Sequence, residues 1–296
     1  MARAEPFQVR VTDLRERFRP QREWAEGRGL LLILAHFLTG AGTAAWLFAV
    51  PFRLNSGLVF GFVLAALGGL GHLLFLGRPE RFWRMATHLA SSWISRGLVG
   101  LTLFLITAPL YLLILLSGAG DSTLAVLVLA LSLLGALWTV IYKGFVWASS
   151  KGIPLWNTPL VPALYIAYAL RGGIAVLIVL AALGAHPPAW EPLEPIKLWL
   201  AVSTGVLVLI YLDVMRGSGM TALRSVDLIL FGKLAVPFYV GAVLLGLILP
   251  IAIGSFAYFG ELSRWLLVLV GLFSLLGDLA IIYCVAKAGI YRPLPA

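Results

Sequence analysis

Three residues able to hold or move a proton fall at similar depth beneath one side of a strongly apolar chain. His36 follows Arg28 by eight residues, about 12 Å along a helix that rises 1.5 Å per residue. His72 precedes Arg78 by six residues, about 9 Å from the same side. Tyr142 stands beside Lys143 at the end of another apolar run. Histidine and tyrosine can donate hydrogen bonds to the two carbonyls of a quinone head and relay the protons that accompany its electrons. The two histidines would equally suit the axial positions of a b-type haem. Each could instead bond only to a neighbouring helix. Position alone leaves all three open.

The elements that must position these residues are membrane spans. Hydrophobic residues make up 61% of the chain and charged residues only 12%, against roughly 25% charged in an ordinary soluble domain. Eight apolar runs, near 29–50, 56–77, 97–117, 123–149, 159–184, 195–213, 230–255 and 264–288, each reach the length of about 20 residues that a spanning helix needs. The expected fold is therefore an all-α polytopic membrane protein with eight transmembrane helices, arranged as two packed four-helix bundles. Residues 1–28 read as a polar N-terminal arm and 29–296 as one transmembrane domain. The arm is too long and too acidic to open as a signal peptide. It reads equally as a solvated segment or as one lying on the membrane surface.

Charge sorts the two sides. Eighteen of the 22 Lys and Arg fall on the side of the termini, three on the other, and Arg171 inside span 5. Short loops rich in Lys and Arg stay in the cytoplasm, so both termini are expected inside, in a bacterial or archaeal inner membrane. The basic balance is met by membrane lipid, and no nucleic acid is called for. The single cysteine, Cys284, excludes a disulfide framework and a Cys-ligated iron–sulfur cluster within this chain, and no C-x-x-C-H motif offers a c-type haem. Within the spans, Arg171 and Asp278 sit near mid-membrane and Asp213 closes span 6. They read as a structural pair or a proton path, and in a rival reading as the substrate path of a non-redox transporter. Trp83, Trp93, Trp147, Trp156 and Tyr291 read mostly as interface anchors.

Two polar stretches face the side of the termini: GRPERFWRMATHLASSWISRG, from Gly77 to Gly97, and YKGFVWASSKGIPLWNTP, from Tyr142 to Pro159. These stretches, with the closing KAGIYRPL, resemble the NrfD/polysulfide-reductase membrane-subunit family, a relative of the dimethyl-sulfoxide-reductase anchors. The resemblance covers essentially the whole chain. It implies a quinone-reactive anchor without a prosthetic group or metal of its own, working with menaquinone or ubiquinone in a respiratory oxidoreductase, as in anaerobic respiration. Its partners would be a ferredoxin-like iron–sulfur subunit holding several clusters and a molybdopterin catalytic subunit. In the polysulfide-reductase type a histidine early in span 1 and a tyrosine late in span 4 contact the quinone head, and His36 and Tyr142 occupy those positions. An asparagine one turn before that histidine is replaced here by Ile33, and His72 could supply a third polar contact. Arg78, Arg81, Arg84, Lys151 and Asn157 are the residues expected to meet the partner; the three arginines could instead hold their loop by pairing with Glu80 and helix carboxyl ends, or anchor to lipid phosphate. Many relatives present that face outside, whereas the charge count here puts it in the cytoplasm.

Overall fold

A computed structural model describes residues 18–184, 193–256 and 262–293. His186 and the first seventeen residues, with Arg3, Arg10, Arg15 and Arg17, lie outside them. Among the described residues there is no strand, and eight helices are long and apolar enough to cross a membrane. In chain order the spans are α1 (Gly29–Ala49), α2 (Asn55–Phe75), α3 (Trp93–Leu116), α4 (Thr123–Ala148), α5 (Leu160–Ala182), α6 (Leu193–Gly217), α8 (Pro237–Phe256) and α9 (Arg264–Lys287). A short helix, α7 (Met220–Leu230), joins α6 to α8.

Local sequence explains the starts. Ser92, Ser122 and Ser263 precede α3, α4 and α9, and each side-chain oxygen accepts a hydrogen bond from the backbone N–H three residues on. That satisfies a donor the first helical turn would leave bare. Small residues then let the spans approach. A Cβ at Gly42 would come within 2.6 Å of the Ala65 nitrogen, so α1 and α2 touch backbone to backbone as small-residue membrane interfaces do. Helix α5 joins the two halves of the chain, packing on α1 and α4 on one side and α6 and α9 on the other. The exposed Leu, Val and Phe of α2, α3, α4, α6 and α8 form the lipid-facing surface.

Two regions depart from the sequence reading. The 6–7 connection holds α7, whose apolar side buries Ala222, Val226 and Ile229, and span 7 begins at Pro237 rather than near 230. Its first part, Pro237–Ile248, is wound as a π-helix before Leu249–Phe256 returns to α-helix. The polar stretch after α2 contains a ten-residue 3₁₀ helix, Pro79–His88, and the turn before Gly97 already belongs to α3.

On the side of the termini the chain ends are tied together. Pro20 pairs with Ile290 in an antiparallel bridge, Gln21 N–H donates to Gly289 O at 2.8 Å, and Tyr291 N–H to Arg19 O at 2.9 Å. Arg292 N–H reaches Gly152 O at 2.8 Å, which adds the 4–5 connection to the same knot. Lys287 and Glu26 form an ion pair across it. Part of the polar arm is thus a fixed cap. Trp156 and Trp147 are buried at 1% and 0% exposure, which corrects their assignment as interface anchors. Trp156 Nε1–H donates to Val285 O at 2.8 Å, locking the 4–5 connection onto α9.

Candidate functional site

A cavity of about 150 Å³ opens between α1, α2, α3 and α4, with His36, His72 and Tyr142 on its wall. Leu32, Phe75, Ile94, Leu98 and Leu101 make most of the rest, so three titratable side chains look into an apolar space. Met85, from the 3₁₀ helix, and Trp24, from the N-terminal cap, close it toward the side of the termini. The 3₁₀ helix is held there by Arg96, which donates to Leu89 O and Ala90 O at 2.8 and 2.6 Å and lies over the Trp93 ring.

The cavity has a specific geometry at each polar group. The indole N–H of Trp147 donates to Nδ1 of His36 at 2.9 Å. The side-chain nitrogen of Lys143 donates to the His36 backbone oxygen at 3.1 Å. The His36 and His72 rings lie 5.0 Å apart between centroids, and Tyr165 meets His36 edge-on at 6.2 Å. Nε2 of His72 is buried without a hydrogen-bond partner. Tyr142 reaches the cavity past Gly97, where a Cβ would fall 2.0 Å from its ring. Ile33 is 2% exposed in the core beside α9 and does not line the cavity; Leu32 does.

Residues 28–293 match the family described as "Polysulphide reductase, NrfD". The chain belongs to the NrfD family. Members are generally quinone-interacting membrane anchors of oxidoreductase complexes. A curated relative, "Protein NrfD homolog" of Haemophilus influenzae (strain ATCC 51907 / DSM 11121 / KW20 / Rd), is 22% identical over 264 residues, covering 80% of this chain and 82% of that protein.

In this NrfD chain Arg78, Arg81 and Arg84 are exposed on the 3₁₀ helix and its approach, and none forms an ion pair with Glu80 among the described residues. Lys151 is exposed on the 4–5 connection. Asn157 is also exposed, and its side-chain amide donates to Ala148 O at 2.5 Å, so it closes the end of α4 as well as facing outward. His88 is exposed beside Thr87, away from the cavity.

Arg171 and Asp278 form a buried hydrogen-bonded ion pair, and Arg171 also donates to Gly246 O at 3.1 Å. Asp213 is exposed on α6 and is not brought to this pair. The reason is helical register: its neighbours Tyr211 and Leu212 take the buried face, leaving residue 213 outside.

The sequence reading missed Lys143, Trp147 and Trp24 as site residues. Lys143 was counted as a surface charge, yet it is 1% exposed and directed at α1. The available signal was spacing. Lys143 and Trp147 are four residues apart, one above the other on the face of α4 that also carries the small buried Thr139.

Proposed function

We propose that this chain binds quinone or quinol and exchanges electrons between the membrane pool and a partner iron–sulfur subunit, itself linked to a molybdopterin catalytic subunit. The supporting observation is the cavity that gathers His36, His72 and Tyr142 in apolar surroundings beneath a polar face. Its size suits a quinone head, and its walls lie in the membrane, where an isoprenoid tail would extend into lipid. The unpartnered Nε2 of His72 fits such a group, since a buried polar atom without a partner costs about 1–3 kcal/mol. When bound, a quinone supplies a two-electron, two-proton couple. His36 and Tyr142 would hold its oxygens as hydrogen-bond donors, with the apolar wall against its ring.

The b-haem alternative loses support from the Trp147 bond. A histidine that ligates metal through Nε2 ordinarily keeps its proton on Nδ1 and donates it to a neighbour. Here Nδ1 receives a hydrogen bond from an indole, which can only donate. The transporter alternative also loses support, because Arg171 and Asp278 neutralise one another in a sealed contact.

The polar face formed by Arg78, Arg81, Arg84, Lys151 and Asn157 would receive the iron–sulfur partner, with both termini in the cytoplasm. Purified complex carrying His36→Gln or Tyr142→Phe is expected to lose quinol-linked turnover at least tenfold while retaining its iron–sulfur clusters. Unchanged turnover in both variants would reject the site. For orientation, a cysteine at position 151 in a Cys284→Ser background should be labelled only from the cytoplasmic side by an impermeant maleimide.

A further inference from the structure

The two cavity histidines are not equivalent. Trp147 Nε1–H points at Nδ1 of His36 at 2.9 Å, with both residues buried. An indole nitrogen is a donor only, so Nδ1 of His36 must present its lone pair, and the single proton of the neutral ring sits on Nε2. The residue is further fixed by Lys143 on its backbone oxygen and by the edge-on ring of Tyr165. His36 is therefore a hydrogen-bond donor with no second protonation route. Giving up its Nε2 proton would leave an imidazolate, because the position where a replacement proton would enter is occupied by the indole. Taking a proton on Nδ1 would break the bond to Trp147 and set two N–H groups against each other.

His72 differs on every count. Its Nε2 is buried and unpartnered, its ring lines the same cavity, and its centroid is 5.0 Å from that of His36, near enough for both rings to meet one ligand oxygen. The titratable groups around the pair are Tyr142 and Lys143 from α4 and Tyr165 from α5. Among the described residues no carboxylate lines the cavity, which leaves Nε2 of His72 as the acceptor beside the bound head.

We infer that Trp147 is a positioning residue that locks His36 as an Nε2–H donor, and that His72 is the catalytic residue that carries the proton. The inference rests on the quinone reading above. One oxygen of a bound quinol accepts from His36 Nε2–H and donates its own O–H to His72 Nε2. Two electrons leave one at a time to oxidised iron–sulfur clusters of the partner. As they do, that O–H bond breaks and its proton passes to His72, while the proton of the far hydroxyl leaves to bulk water. In quinone reduction the same steps run backwards, and His72 gives the proton.

Nitrogen-15 histidine labelling of the full purified complex tests the first half without any quinone. His36, assigned by difference with His36→Gln, is expected to show one protonated Nε2 and one unprotonated Nδ1, and Trp147→Phe should replace that pattern with a mixture of tautomers. A protonated Nδ1 on His36 in the unaltered complex would overturn the lock. For the second half, turnover with short-chain menaquinol and ubiquinol is compared across variants. His72→Asn should lower kcat roughly 100-fold with little change in KM and abolish the solvent deuterium isotope effect. Trp147→Phe should mainly raise KM, about tenfold. A His72→Asn complex with unchanged kcat would overturn the proton assignment. An unaltered complex that shows the Nε2–H tautomer but oxidises neither quinol would overturn the quinone reading and the His72 step with it, leaving the tautomer lock in place.

Discussion

Gly97 leaves room where the Tyr142 ring must pass, and that makes α3 a part of the cavity's shape. Adding one methyl at residue 97 would place a carbon 2.0 Å from the ring. Gly97→Ala is therefore expected to push Tyr142 aside, at an overpacking cost of about 1–3 kcal/mol. The measurement is quinol KM in the purified complex, which should rise well above that of an alanine placed at the exposed Gly77. At this scale the sequence was partly legible. His36, His72 and Tyr142 could be grouped because depth along a helix follows from residue count, whatever the packing. Lys143 and Trp147 could not, because a lysine and a tryptophan at the end of a span also describe an interface anchor. Only burial separates the two, and burial depends on which face of α4 meets α1. Asp213 failed for the same reason, with the opposite result.

Helix α8 shows what a non-standard winding can achieve between elements. The π-helix from Pro237 to Ile248 brings Gly246 against Gly277 of α9, where a Cβ would fall 2.0 Å from the opposing Cα. This close approach sets the Gly246 carbonyl where Arg171 of α5 can donate to it. The ion pair of Arg171 with Asp278 of α9 then ties three helices at one point. Removing one partner of a buried pair leaves an uncompensated charge, and Asp278→Ala should destabilise by about 3–5 kcal/mol. A double variant, Arg171→Leu with Asp278→Leu, should recover most of that loss in a thermal unfolding assay in detergent. Gly277→Ala should also lower the unfolding temperature by separating α8 from α9. Eight spans were legible because lipid demands long apolar runs with internally paired backbones. The π-winding was not, since it arises from the fit of α8 against α9 and leaves no mark on average hydropathy. Nor was α7, whose eleven residues are too few for a span and were folded into the neighbouring connections.

Across the whole molecule, the side of the termini carries both the roof of the cavity and the exposed arginines. Substituting Arg78, Arg81 and Arg84 together by glutamine should weaken retention of the iron–sulfur partner during purification, most at low salt, where charge contacts are least screened. The histidine tautomers of the cavity should be unaffected, because the three arginines are exposed and none lines it. The knot between residues 19–21 and 289–292 has a different consequence, in time rather than in space. Trp24 packs on Trp147 and Trp156, and the backbone bridge from Pro20 to Ile290 adds a last tether to this part of the cavity wall. A ribosome must finish all eight spans before that last tether can form. An unfinished chain thus carries the cavity and its cover without the clasp that holds the cover down.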